Sequence, residues 1–258
     1  MNSRILTDRE FETEALRIVD AAKENNLTLR LLGALAIRIH CPRYNFLHED
    51  LKRKYTDLDF AAYKRQNDGI LRLLTRLGYA CDLRALTLHG TNRMLFQNNR
   101  TGLKLDVFYD RLEFCHTIDF AKNRRLEIDY PTISVSDLLL EKMQIVNITK
   151  KDIIDTSILL VEHDMGSSDK DLVNTNYLTD LLSQDWGFYY TVTINLGKVK
   201  ESLARNEKVP SPEKSIAAGR IDTIIDAIEK AAKSTRWKFR ARIGPSKKWY
   251  KDVEEITR

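Results

Sequence analysis

The chain has 258 residues, of which 43% are hydrophobic, and a formal net charge of +5 with a sequence pI near 9.0. This length and apolar content suit one large or two modest globular domains, ordered nearly throughout. The basic balance is compatible with a polyanionic partner such as nucleic acid, without identifying one. Three scattered cysteines without a CxxC pair, no signal-peptide core and no membrane-length apolar run lead us to expect a reduced, cytoplasmic setting and no membrane partner.

The first half of the chain mixes helical and extended patterns. A capping box at Thr7–Glu10 precedes a helical pattern that runs through Ala22. Further helices are predicted in GALAIRIH, after a glycine turn, and in QNDGILRLLTRLGY. Strands are predicted at 27–32, in TDLDFAAY, in RMLFQNN and LKLDVFYD, which flank RTG as a hairpin, and in RRLEIDYP.

After Pro131 the predicted elements are helices alone. They are SVSDLLLEKMQIV, TKKDIIDTSILLVEH, LVNTNYLTDLLSQD and SPEKSIAAGRIDTIIDAIEKAAK. We therefore predict an α+β fold. Its core, residues 1–134, has a mixed β-sheet flanked by helices, and an α-helical domain follows at 135–258.

Carboxylates on two of the predicted strands suggest a metal site. Side chains alternate faces along a strand, so Asp57 and Asp59 point to one side of the sheet. On LKLDVFYD, Asp106 lies on the face opposite its apolar neighbours. If the two strands pair, the three carboxylates meet and can hold metal ions for phosphoryl or nucleotidyl displacement. The alternative is a solvated strand edge, and Asp110 is a second candidate for the third carboxylate.

The order of these motifs resembles the nucleotidyltransferase superfamily that includes DNA polymerase β. Gly33, then TDLDF, then LKLDVFY carry the likeness, which is closest to the AbiEii/MenT-type toxin nucleotidyltransferases and spans about residues 28–165. It implies a nucleotidyltransferase core in which Asp57 and Asp59 bind Mg²⁺ (or Mn²⁺) and Asp106 is the third ligand or the base. The dipeptide Gly33-Ala34 would face the NTP phosphates, although the superfamily usually has Gly-Ser or Gly-Gly there.

The resemblance also extends into the predicted helical domain. Lys142 in LLLEKMQI would neutralise the triphosphate, and Asp155, with Lys151, would orient either Lys142 or the catalytic base. The alternative for Lys142 is a side chain that reaches solvent from an apolar helix. Asp152 has a structural explanation, because Thr149–Asp152 is itself a capping box.

We expect an enzyme that moves a nucleoside monophosphate from an NTP to an acceptor hydroxyl and releases pyrophosphate. The acceptor can be an RNA or tRNA 3′-end, as in a toxin with a cognate antitoxin protein, or a protein hydroxyl or small molecule such as an aminoglycoside. The alternative is a non-catalytic member of the same fold that binds nucleotide or RNA as a regulator or antitoxin-like partner.

The segment RWKFRARI is basic and aromatic. As a strand it would place its cations on one face, suited to single-stranded nucleic acid. Alternatively its aromatic side chains dock on the helical domain. The predicted nucleic-acid-binding residues are Arg236, Lys238, Arg240 and Arg242. The pairs His40-Cys41 and Cys115-His116 lack zinc-ligand spacing, so zinc is not expected.

Overall fold

The computed structural model describes residues 7–49, 55–82 and 92–253. The chain forms two compact units. One comprises Met1–Ile39, Lys52–Leu112 and Asp119–Ser134, and the other comprises His40–Leu51, Glu113–Ile118 and Val135–Arg258. The predicted domain boundary after residue 134 stays a prediction.

A five-stranded mixed sheet forms the centre of the first unit, which makes the fold α+β as predicted. Its strands are β1 (Leu29–Leu32), β2 (Asp57–Ala62), β3 (Tyr79–Cys81), β4 (Arg93–Asn98) and β5 (Lys104–Tyr109). Their order is β1-β2-β5-β4-β3. The central pair β2–β5 is parallel, and the other three pairs are antiparallel. The β4–β5 pairing confirms the predicted hairpin across RTG.

Three α-helices accompany the sheet in the part of this unit that the structure describes. They are α1 (Asp8–Glu24), α2 (Gly33–His40) and, after α3 (Phe46–Glu49) of the second unit, α4 (Asn67–Arg76). Helix α1 begins where the sequence predicts, because the Thr7 hydroxyl accepts the Glu10 amide and the Glu10 carboxylate accepts the Thr7 amide. Its buried face, Phe11, Ala15, Ile18, Val19 and Ala22, follows the helical period.

The second unit is built mainly from helices. They are α5 (Val135–Met143), α6 (Lys150–Glu162), α7 (Thr175–Leu182), α8 (Trp186–Arg205), α9 (Ser211–Lys230) and α10 (Thr235–Ile243). Every residue of α5 is buried, whereas α9 buries one residue per turn. The sequence did not single out α8, whose twenty residues begin at the cap that Asp185 provides for the Phe188 amide. Within the described ranges, no helix combines the length and hydropathy that a bilayer crossing requires.

Short strand pairs accompany these elements. Strands β6 (Arg111–Glu113) and β7 (Thr117–Asp119) form one two-stranded sheet, and β8 (Met165–Gly166) pairs in parallel with β9 (Val173–Asn174).

The prediction of a strand in RRLEIDYP was wrong. Residues Lys122–Glu127 form a 3₁₀ segment in which Asn123 and Arg124 have φ of 59° and 53°. A positive φ breaks an extended backbone, and the Arg125 amide instead bonds the Phe120 carbonyl. The alternating apolar residues therefore do not lie on one face of the segment, because Leu126 is buried while Ile128 is 39% exposed.

Candidate active site

The strand register brings the three predicted carboxylates to one face of the sheet. Asp59 on β2 lies directly opposite Asp106 on β5. Partners on neighbouring strands point to the same side, so Asp57, two residues before Asp59, joins them. Neighbouring strands lie about 4.8 Å apart, and residues two positions apart on one strand are separated by about 6.6 Å. At these spacings the three carboxylate groups are close enough to bind the same cation or two adjacent cations.

Burial differs among the three acids. Asp57 and Asp59 are half-buried, while Leu58 and Phe60, on the other face of β2, are 1% and 0% exposed. Asp106 is 1% exposed. The alternation explains why charged residues occur within an apolar strand: one face of β2 packs in the core, and the other presents acids to partly open space.

An arginine that the sequence analysis did not identify contacts the buried acid. Arg93 on β4 donates two hydrogen bonds to Asp106 Oδ2, from Nε at 3.1 Å and from Nη2 at closer range. Arg93 pairs in register with Phe108, so its side chain shares the face of Asp106 and lies over the Phe108 ring at 4.8 Å. The guanidinium compensates the charge of a carboxylate removed from water. Because Arg93 lies diagonally across the predicted hairpin from Asp106, the sequence pattern alone could have indicated this pair.

Helix α2 begins beside these acids. Its first residue, Gly33, follows Leu32, the antiparallel partner of Asp59. Gly33 has φ of 77°, a conformation that residues with a Cβ rarely adopt. The turn places the start of α2 directly after the Leu32–Asp59 register pair, and Ala34 lies half-buried in its first turn. The start of a helix carries partial positive charge, which attracts anions.

Asp110, the alternative third acid, lies elsewhere. It follows β5 at the end distant from the Asp57–Lys104 register pair. Its carboxylate accepts the Lys64 amide at 3.0 Å, and its carbonyl accepts the amides of Phe120 and Ala121. These bonds, together with φ of 60°, assign Asp110 to a turn.

Lys142 belongs to a buried charge cluster in the second unit. Its Nζ lies 3.2 Å from Asp155 Oδ2, 3.5 Å from Asp152 Oδ1 and 3.7 Å from Glu141 Oε1. Lys142 is 7% exposed and Asp155 is 0% exposed. The ammonium therefore does not extend along an apolar surface into water, and the predicted pairing of Lys142 with Asp155 is present in the structure.

The other two residues of the downstream motif lie in the first turn of α6. Asp152 completes the capping box: its amide bonds the Thr149 hydroxyl, and its carboxylate accepts the Thr149 amide. Lys151 is exposed, one helical turn before Asp155. The expected structural role of Asp152 is thus confirmed, while the nucleotide-binding roles of Lys142, Lys151 and Asp155 stay predictions.

The basic aromatic segment is a helix, and not the strand that a single cationic face would require. The Ser234 hydroxyl caps α10 by accepting a hydrogen bond from the Trp237 amide. This cap stabilises a helix start even though the sequence alternates between basic and apolar residues. Trp237 donates from its indole to the Leu182 carbonyl at 3.1 Å and packs edge-on against Tyr189, as in the docking alternative.

The four cations of α10 do not share one face. At 100° per residue, Arg236 and Arg240 lie on one side and Lys238 and Arg242 on the other. Arg240 lies 4.6 Å above the Trp186 ring and donates to the Gly244 carbonyl at 2.6 Å, so it serves packing. Lys238 and Arg242 are exposed, beside Phe239, which is 63% exposed.

The two His–Cys pairs have separate surroundings. His116 bonds Thr191 Oγ1 at 2.8 Å and stacks on Phe188, and its burial lowers the pKa of the imidazole to about 4. Burial also raises the pKa of the Cys41 thiol well above its ordinary value. The buried Cys41 environment is not typical of a nucleophilic cysteine.

Comparisons with known proteins give distant structural likenesses. No protein-family model and no curated protein matches the chain. A solution structure of the antibiotic-resistance factor ANT(2'')-Ia aligns at 14% identity and TM-score 0.42, over 69% of this chain and 96% of the other. A lincomycin-bound crystal structure of the lincosamide antibiotic adenylyltransferase LnuA aligns at 15% identity and TM-score 0.39, over 60% and 98%. These identities and scores are too low to carry a functional conclusion.

Proposed function

We propose that this protein is a metal-dependent nucleotidyltransferase that transfers a nucleoside monophosphate from an NTP to an acceptor hydroxyl. One observation carries the proposal: Asp57, Asp59 and Asp106 share a sheet face through the parallel register of β2 and β5. A helix begins with a positive-φ glycine next to the same register. Adjacent acids for a cation and a helix N-terminus for phosphate are two parts that phosphoryl chemistry uses.

The donor set fits Mg²⁺ or Mn²⁺. Both ions prefer oxygen ligands, and Mg²⁺ usually binds one or two carboxylates together with substrate phosphates. Asp57 and Asp59 would hold the ion because they are half-buried and so remain accessible. When bound, the ion supplies positive charge for the phosphate oxygens.

Asp106 would act at the acceptor hydroxyl. The contact with Arg93 keeps its charge balanced inside the sheet. In this arrangement Asp106 accepts the hydroxyl proton as the acceptor oxygen attacks the α-phosphorus, and pyrophosphate leaves. For Asp106 to become a metal ligand, as the family resemblance also allows, its carboxylate would have to exchange the Arg93 contact for the ion.

The finer assignment rests on motif order and charge. Lys142, with Lys151 and Asp155, would stabilise the triphosphate. A toxin-like AbiEii/MenT subtype acting on an RNA or tRNA 3′-end, with an antitoxin partner, agrees with the basic balance and with the exposed Lys238, Phe239 and Arg242. The second candidate is a non-catalytic nucleotide- or RNA-binding regulator, which Ala34 favours because it lacks the hydroxyl that a serine would offer to phosphate.

The test is transfer of label from each α-³²P-labelled NTP, with Mg²⁺, to total RNA, to protein or to small hydroxylated acceptors such as aminoglycosides. The wild type should label one acceptor class. Asp57→Asn and Asp59→Asn should each reduce the rate of nucleotide transfer more than about 100-fold. Residues that only support a metal ligand typically contribute about 10–100-fold. Circular dichroism should show an unchanged fold, since each change removes a charge from a repelling pair.

Asp68→Asn is the matched control, because Asp68 is an exposed acid of the same unit. It should retain wild-type transfer. Wild-type turnover in folded Asp57→Asn and Asp59→Asn would refute the catalytic role of the pair. NTP binding without transfer to any acceptor would instead favour the regulator.

A further inference from the structure

We propose a second metal site, for a zinc-class divalent cation, formed by His40, His163 and Asp171. All three belong to the second unit. Each offers one ligand atom, and these atoms lie within 4.8 Å of one another. The sequence hides this site because its residues are 123 and eight positions apart and match no zinc-ligand spacing.

The distances suit a small coordination sphere. His163 Nδ1 lies 3.3 Å from Asp171 Oδ1, and His40 Nδ1 lies 3.8 Å from the same oxygen. Ligands about 2.1 Å from a tetrahedral ion are about 3.4 Å apart. The His163–Asp171 separation already meets this value, and the His40–Asp171 separation requires a shift of about 0.4 Å, which rotation of the exposed Asp171 side chain can supply. The ligand atoms of the two histidines lie at most 4.8 Å apart, so the rings would approach each other by up to about 1.4 Å on binding.

Local electrostatics also favour a cation. His40 is the last residue of α2, and His163 is the C-cap of α6, so both imidazoles stand at helix ends that carry partial negative charge. Asp171 adds a full negative charge. His163 is 5% exposed, and its Nδ1 also lies 3.2 Å from the Asp171 carbonyl oxygen, so an ion bound at Nδ1 would replace this contact.

The ligand chemistry selects the class of ion. Imidazole nitrogens suit Zn²⁺ and similar transition metals, whereas the carboxylates on β2 and β5 suit Mg²⁺. Two histidines and one carboxylate leave a fourth position for water, and Asp171, whose side chain is 75% exposed, leaves a path for the ion to enter. The bound ion would fasten the loop after α6 to His40 within the second unit.

The experiment uses the full, tag-free chain carrying Asp57→Asn and Asp59→Asn, so that the strand carboxylates cannot supply the signal. After dialysis against a chelator, Co²⁺ is titrated while its visible absorption is followed, and Zn²⁺ is titrated by calorimetry. One equivalent should bind with a four- or five-coordinate Co²⁺ spectrum, and excess Mg²⁺ should not displace it. Asp171→Asn and His40→Asn should each weaken binding at least about tenfold, and His163→Ala should abolish it.

His116→Gln, which removes a histidine outside the cluster, should keep wild-type metal affinity. Absence of saturable binding in the folded parent would overturn the proposal, and so would unchanged affinity in Asp171→Asn and His40→Asn. If His163→Ala does not fold, these two more exposed positions decide the result.

Discussion

Lys142 offers the sharpest test of how the buried charge cluster contributes to stability and binding. Lys142→Met keeps most of the side-chain stem but removes the ammonium that lies 3.2 Å from Asp155, which is 0% exposed. An acid left in the interior without its cation typically costs about 3–5 kcal/mol. We therefore expect the free energy of unfolding to fall by about that amount, measured by urea denaturation with far-UV circular dichroism.

Two further variants separate charge from packing. Lys142→Met with Asp155→Asn restores local charge balance, so it should recover more than half of the loss, and the double-mutant cycle gives the coupling energy directly. Lys150→Met, at an exposed position of α6, should change stability by less than about 0.5 kcal/mol.

A loss below about 1 kcal/mol in Lys142→Met would refute the structural reasoning, because it would mean that Asp155 needs no buried counter-charge. The same stability measurement distinguishes a loss of NTP binding from a loss of folding. A decrease in NTP affinity counts for triphosphate binding only when it is measured on folded Lys142→Met protein, or when the charge-balanced double variant shows it as well.

Three other outcomes follow from the local geometry. Gly33→Ala should cost about 1–2 kcal/mol in urea unfolding, because φ of 77° places a Cβ against the following carbonyl, and it should weaken NTP binding in a calorimetric titration. Burial lowers the pKa of His116 to about 4 in the native protein, whereas the unfolded imidazole protonates near 6.5, so the free energy of unfolding should fall by about 3 kcal/mol at most as pH drops from 6.5 to 4. His116→Gln should flatten this pH dependence in urea titrations, and an unchanged slope would contradict burial of a neutral ring. Lys238→Gln with Arg242→Gln should lower the dependence of log K on log salt by about 1.4 in RNA-binding assays if both touch phosphate, whereas Arg240→Gln should lower thermal stability.

Regular patterns made much of the fold predictable. The strands that carry TDLDF and LKLDV alternate apolar and acidic residues over enough length to fix both their type and their faces. Capping boxes fixed the starts of α1 and α6, because Thr7 and Thr149 each satisfy amides that a helix start leaves free. The same alternation placed Asp106 correctly with respect to Asp59, once the strands were assumed to pair.

Other features depend on contacts between distant residues. RWKFRARI alternates like a strand, but the side-chain cap at Ser234 and the docking of Trp237 on Leu182 and Tyr189 favour a helix. RRLEIDYP alternates too, yet Asn123 and Arg124 adopt positive φ. His40 and Asp171 lie 131 positions apart, so no local spacing could indicate their proximity.

Arg93 changes the interpretation of the three carboxylates. A set of equivalent metal ligands would leave three negative charges on one face without a protein cation, at a high cost in repulsion until an ion binds. Here the most buried acid, Asp106, already has a guanidinium partner, while the two more accessible acids lie on a single strand. We therefore propose that Asp57 and Asp59 bind the cation and that Asp106 accepts the proton. We expect the fold to form without metal, because Asp106, the one fully buried carboxylate among the three, has its counter-charge within the sheet.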